Sequence, residues 1–150
     1  MRKLSLILTL LISFSATSEE TISRWMADYF ERIHKHIANE NYEKAQAELV
    51  LGDTNYFRNG RTYEAALLYQ LYGQFYAVQS QYTNAIPWFE KALASQQMPR
   101  IGEQEVRFQL AQTYFMVGNY ENVVPLLEDF IEVGEKYKFP ISARASTLAS

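Results

Sequence analysis

Apolar and small side chains recur along the chain at intervals of three and four residues, the spacing that places them on one face of an α-helix. Tyr69, Tyr72, Gly73 and Tyr76 follow this spacing, and a stretch further along the chain repeats it. A short polar connector comes next in both places, and a second apolar series with the same period follows it. The pattern predicts pairs of helices joined by tight turns.

The two helix pairs are copies of one another. Residues 82–93 and 120–131 lie 38 positions apart and share Tyr, Asn, Pro and Glu in register, and residues 72–76 and 110–114 agree at the same offset. A weaker third copy occupies 41–49, which lies 40 positions before 82. Agreement in two separate blocks at one offset indicates an internal repeat. We place the proline of each second helix, Pro87 or Pro125, in its first turn, where a missing N–H costs little.

The spacing large-x-x-large-small-x-x-Tyr, followed by Tyr-x-x-Ala-x-x-x-Phe-x-x-Ala, resembles the tetratricopeptide repeat. One copy matches it throughout, at Tyr69, Tyr72, Gly73, Tyr76, Tyr82, Ala85, Phe89 and Ala92. The later copy departs from it at Arg107, where the pattern has a large apolar residue, and at Val123, where it has alanine. The resemblance covers about 25–138.

The resemblance implies an all-α fold in which antiparallel helix-turn-helix repeats stack as a short right-handed superhelix, a solenoid. About three repeats are expected within 19–140, at roughly 25–52, 66–99 and 104–137. Residues 141–150 would be a capping helix or the start of a further repeat. Because the offsets exceed the usual repeat length, we expect the extra residues in connections such as 98–102 and 54–60.

A narrower resemblance rests on four short motifs: Tyr63-Glu-Ala-Ala, Tyr82-x-x-Ala-Ile, Met98-Pro99 and Leu110-Ala111-Gln112-x-Tyr114. Together they are similar to periplasmic tetratricopeptide proteins that accompany the TonB–ExbB–ExbD energy-transducing system of Gram-negative bacteria. That resemblance implies an envelope scaffold or adaptor without enzymatic activity, and TonB, ExbB or ExbD as partners. The alternative is the exported sensory part of a longer signalling protein, such as a cyclase or kinase.

The first 18 residues have the layout of a secretory signal peptide. A basic start, Met1-Arg2-Lys3, precedes an apolar run at 4–14, and small and polar residues follow. This run is about 11 residues long, too short to span a bilayer. We therefore expect residues 1–18 to be removed and the mature protein to be periplasmic, without membrane insertion. An uncleaved anchor or a buried N-terminal helix is the alternative.

Composition narrows the possible partners and chemistry. The 150 residues include only 6 glycines and 4 prolines, which fits one helical domain, and no cysteine for a disulfide, thiol nucleophile or thiolate metal site. Loss of the first 18 residues removes two basic residues and no acidic one, which changes the net charge from −3 to −5. Such a charge disfavours nucleic acids and anionic membrane surfaces as partners.

The titratable residues do not form a catalytic arrangement. His34 and His36 are the only histidines, and at this spacing on a helix they point about 200° apart, so they cannot hold one metal ion together. Gly-rich phosphate loops, zinc-ligand spacings and nucleophile elbows are absent from the sequence. We predict no enzymatic activity, no metal, no cofactor and no small-molecule substrate.

The first helices of stacked repeats line a concave face, the usual binding surface of solenoids. On the resemblance, the groove positions of this chain are Phe30, His34, Gln70, Gln74, Phe108, Gln112, Phe115 and Met116. These side chains are apolar or carry amides, with no basic cluster to clamp carboxylates. We therefore predict an apolar or amide-rich peptide or helix as the ligand. The alternative is that the same residues pack against a neighbouring repeat or an extension of the chain.

Overall fold

The computed structural model describes residues 22–53 and 62–137, and this part of the chain forms six α-helices and no strand. The helices are α1 (Arg24–Ala38), α2 (Tyr42–Leu51), α3 (Tyr63–Val78), α4 (Tyr82–Ala94), α5 (Arg100–Met116) and α6 (Tyr120–Tyr137). The all-α class is confirmed. The predicted signal peptide, the connection at 54–60 and the segment 141–150 lie outside the described residues.

Helices that follow one another in the chain pack together as hairpins: α1 with α2, α3 with α4, and α5 with α6. Three contacts define the direction of the last pair. Phe115 lies against Tyr120 beside the turn, with ring centroids 5.5 Å apart. Arg107 binds Asp129 halfway along, at 2.9 Å, and Arg100 lies over the Tyr137 ring at the far end. The two helices therefore run antiparallel along their length.

The three hairpins share one turn geometry. Each turn has three residues, and the middle one has a positive φ: 57° at Glu40, 60° at Ser80 and 77° at Gly118. The next backbone N–H donates to a carbonyl oxygen in the last turn of the preceding helix: Asn41 to His36, Gln81 to Tyr76, and Asn119 to Tyr114, at 2.8 to 2.9 Å. This bond closes a helix C-terminus and reverses the chain.

Helices α3 and α4 approach one another closely at Gly73. A Cβ added to Gly73 would lie 2.5 Å from Cε1 of Phe89, so only glycine allows this separation of the two helices. Beside it, the rings of Tyr72 and Trp88 stack with centroids 3.9 Å apart. Ten α3 residues between 65 and 75 are buried, on every side of the helix, which makes α3 the centre of the core.

Two local predictions are wrong. Pro87 and Pro125 are each the sixth residue of their helix, because α4 and α6 begin directly after the three-residue turn and not several residues later. The predicted connection at 98–102 is displaced, since α4 ends at Ala94 and α5 begins at Arg100, which places the connection at 95–99. Among the described residues, no helix is both long enough and apolar enough to cross a membrane.

Candidate partner-binding face

The predicted groove residues differ widely in exposure. Phe30, Gln70 and Gln74 are buried, and His34, Phe108 and Gln112 are half-buried. Phe115 and Met116 are exposed, by 50% and 43%. The set therefore runs from the interior of α3 to an open apolar end at the last turn of α5, and it does not form one open surface.

One hydrogen bond brings the first helices of the second and third hairpins together. The Gln70 side-chain amide nitrogen on α3 donates to the side-chain carbonyl oxygen of Gln109 on α5, at 3.2 Å. Sequence reasoning missed Gln109, although it stands three residues before Gln112 and so shares its helix face. We name the surface where these two helices meet the α3–α5 face, defined by Gln70, Gln74, Gln109 and Gln112.

Beyond this bond, three buried amide atoms of the α3–α5 face lack a hydrogen-bond partner among the described residues. Gln74 is only 1% exposed. Both polar atoms of its side chain are buried, and neither has a hydrogen-bond partner in the described structure. The side-chain carbonyl oxygens of Gln112 and of Gln104, both on α5, are also buried without a hydrogen-bond partner. An unpaired buried amide costs about 1–3 kcal/mol, so these groups weaken the fold as it stands.

The α1 part of the predicted groove is apolar and uncharged. Phe30 belongs to the main core, where its ring lies 5.6 Å from that of Tyr29. Burial lowers the pKa of His34 below its usual value of 6.5, which favours the neutral imidazole.

On α5, the basic residue Arg107 directly precedes the groove position Phe108. Its guanidinium forms ion pairs with Glu103, at 2.6 Å, and with Asp129. A ligand carboxylate would therefore compete with two internal ones at this position.

Large apolar side chains are exposed around the turn between α5 and α6. We name this surface the turn patch, and its members are Phe115, Met116, Val117, Tyr120 and Val124. Sequence reasoning identified Phe115 and Met116 but missed Tyr120 and Val124, which are 59% and 56% exposed. The available signal was the run 108–120, which contains no charged residue.

A cleft of about 200 Å³ lies between α1 and α2, and its charges are largely paired. Its lining comprises Trp25, Asp28, Tyr29, Arg32, Glu48 and Leu51. Arg32 binds Glu48 at 3.5 Å and lies over the Tyr29 ring, so the cleft already contains its own cation. Within 22–53 and 62–137, no group of three acidic or histidine side chains is arranged to hold a metal ion.

Comparison with protein-family models and with the curated proteins finds no match to this chain. Its function must therefore be inferred from its own residues. The features available for that inference are the repeated hairpin, the unpaired amides of the α3–α5 face and the exposed turn patch.

Proposed function

We propose that this chain is an exported protein-interaction scaffold of the bacterial cell envelope, built from tetratricopeptide-like hairpins stacked as a short right-handed superhelix. The repetition of helix ends supports the repeat. The last residues of α3 and α5, Val78 and Met116, are 38 positions apart, and so are the first residues of α4 and α6, Tyr82 and Tyr120. The shared turn geometry of all three hairpins supports it as well.

The observation that carries the binding role is the unpaired amide of Gln74. Its two polar atoms are buried at a cost in folding free energy that no contact within the described residues returns. A peptide main chain offers one N–H and one C=O per residue, which matches the acceptor and donor of a glutamine side chain. A bound peptide or helix would therefore satisfy groups that the chain leaves unsatisfied.

The ligand approaches this face through its more open members. Gln112 is half-buried, although its carbonyl oxygen is covered, whereas Gln74 is almost fully buried. A ligand would meet the Gln112 side chain first and reach the buried amide atoms when the side chains between the two helices rearrange. Phe115 and Met116, at the end of α5, offer exposed apolar contacts on the way. This arrangement favours an apolar or amide-rich ligand without carboxylate anchors.

The proposed setting is the periplasm, and the proposed partners are components of the TonB–ExbB–ExbD system. The N-terminal pattern of the sequence supports export, and the narrower family resemblance supports the partners. In this role the chain is not an enzyme and needs no cofactor. It holds a protein partner in the concave groove.

The test is partner capture from the native envelope with the full chain. Chemical crosslinking in the native envelope followed by affinity purification of the full chain should recover TonB, ExbB or ExbD. The double variant Gln74→Met, Gln112→Met should lose that recovery, because methionine keeps the volume and removes the amide. Gln81→Met, at an exposed turn position, is the matched control and should behave as the unchanged chain.

Two other results would count against parts of the proposal. Unchanged recovery by a folded double variant would remove the α3–α5 face as the binding site. Capture of other envelope proteins without TonB, ExbB or ExbD would remove the narrower partner assignment. Mass spectrometry of the exported chain tests the localisation, and an intact residue 1 on the periplasmic product would contradict signal cleavage.

A further inference from the structure

The turn patch gathers exposed apolar side chains at one end of the third hairpin. Phe115 and Tyr120 join its two helices through an edge-on ring contact at 5.5 Å, and Val124 lies one helical turn beyond Tyr120. All five members are between 41% and 59% exposed. Exposed apolar surface of this kind marks protein contact sites more often than scattered single side chains do.

Beside the turn patch, α6 presents a row of carboxylates that we name the acidic stripe, defined by Glu121, Glu128, Glu132 and Glu135. Spacings of seven, four and three residues place all four on one side of the helix. All four are exposed. In the described part of the chain none of them makes an ion pair, whereas the neighbouring Asp129 binds Arg107.

Three members of the acidic stripe, Glu128, Glu132 and Glu135, are unfavourably placed on their own helix, whereas Glu121 lies in its first turn. Glu128 and Glu132 are like charges four residues apart, and Glu132 and Glu135 are three apart, both of which are repulsive pairs on a helix surface. Glu135 lies in the last turn of α6, where the helix dipole disfavours negative charge. Lys136 is the single basic residue of α6. Lys136 stands four residues after Glu132, a favourable spacing, so one basic residue offsets only part of the four acidic charges.

We propose that the turn patch and the acidic stripe together dock a cationic amphipathic helix of another protein. The apolar side of that helix lies on the turn patch, and its lysines or arginines face the acidic stripe. The stripe spans 15 residues, or about 22 Å along the helix axis. A partner helix of about four turns matches that length.

Charge complementarity selects this occupant over the other candidates. An anionic membrane surface or a nucleic acid would be repelled by the four unpaired carboxylates. A second copy of the chain would bring its own acidic stripe against the first, so self-association through this surface is disfavoured. The turn patch shares Phe115 and Met116 with the ligand route of the proposed function, but the acidic stripe on α6 lies outside the α3–α5 face, and the inference does not depend on the proposed function.

The probe is a pair of synthetic 18-residue peptides of leucine and lysine with identical composition. One places the leucines along one face of a helix, and the other has them in scrambled order. Fluorescence anisotropy measures the binding of each peptide to the full chain at two salt concentrations. We expect the amphipathic peptide to bind at least about tenfold more tightly than the scrambled one, because only it presents an apolar face.

Charge variants test the acidic stripe. Replacing Glu121, Glu128, Glu132 and Glu135 with glutamine should weaken binding of the amphipathic peptide at least about tenfold and flatten its salt dependence. The matched control replaces Asp28 with asparagine and Glu31, Glu40 and Glu43 with glutamine, all exposed. It changes the net charge equally and should alter the affinity less than about threefold if the contact is local.

A second pair of variants tests the turn patch. Tyr120→Ser with Val124→Ser should weaken binding about tenfold, while Val50→Ser with Leu51→Ser, on the exposed side of α2, should leave it within about threefold. Equal losses in target and control variants would overturn the proposal, and so would equal binding of the two peptides. Dimerisation of the unchanged chain would also overturn the proposal if the double variant Tyr120→Ser, Val124→Ser abolished it. A second copy of the chain would then be the occupant of the turn patch.

Discussion

Gly73 and Phe89 approach so closely that a single methyl group at position 73 would lie 2.5 Å from the ring. The ring is fully buried, so it has no open space into which it can turn. This contact sets the distance between α3 and α4, and with it the position of the central helix of the core. The short distance between α3 and α4 also brings the Tyr72 and Trp88 rings into stacking contact.

Gly73→Ala should therefore lower the free energy of unfolding by about 1–3 kcal/mol, as overpacked cores do. Urea denaturation followed by circular dichroism measures this change. Gly102→Ala is the matched control, because its new methyl group meets nothing nearer than 3.9 Å. There the better helix propensity of alanine should raise the stability by about 0.5–1 kcal/mol. Equal effects of the two substitutions would contradict the close approach.

The shared turn geometry predicts opposite effects at equivalent positions. Ser80→Gly should raise the free energy of unfolding by about 1 kcal/mol, because a side chain at positive φ is strained and glycine is not. Gly118→Ala should lower it by a similar amount. An added Cβ at Gly118 meets nothing within 4 Å, so that loss would come from the backbone alone. Effects of the same sign would show that the turns differ.

The unpaired amide of Gln74 predicts a conflict between stability and function. Gln74→Met should raise the free energy of unfolding by about 1–2 kcal/mol, because it removes a buried amide without partners at nearly constant volume. Gln70→Met is the control, and there the bond to Gln109 is lost, so no such gain is expected. Thermal unfolding of both variants measures the difference. A destabilised Gln74→Met variant would mean that the amide already has a partner.

His34 predicts a loss of stability in mild acid. Burial lowers the pKa of His34 in the folded chain below the ordinary value of 6.5, so the unfolded chain takes up its proton first as the pH falls. The contribution of neutral His34 to the free energy of unfolding is complete above pH 6.5 and is lost as the pH falls through the folded-state pKa. Unfolding free energies between pH 7.5 and 5 should fall more steeply for the unchanged chain than for His34→Gln. Parallel curves of unfolding free energy against pH for the two chains would rule out this contribution of His34.

The last two helix pairs could be predicted from the sequence down to their turns. The polar connectors at 79–81 and 117–119 are the turns observed, because the period of apolar side chains stops there and resumes three residues later. The burial of the predicted groove residues could not be predicted in this way. Periodicity assigns Gln70 and Gln74 to a face of α3, but their burial depends on what packs there, and α3 is covered on all sides.

Arg107 shows a second limit of the repeat pattern. It departs from the expected large apolar residue, and the reason is Asp129, which stands 22 positions further along the chain. Only the antiparallel return of α6 brings that carboxylate to the guanidinium. A rule based on neighbours within one helix finds Glu103, four residues before Arg107, and misses Asp129.

The Tyr72–Trp88 stack gives the chain an intrinsic optical reporter. Trp88 and Trp25 are the only two tryptophans, and they stand in different hairpins. Trp88 is covered by Tyr72 on one ring face and has the Lys91 ammonium within 5.0 Å, whereas Trp25 is 54% exposed. Iodide should therefore quench Trp25 preferentially, and the residual emission would follow the central hairpin by itself as the chain binds or unfolds.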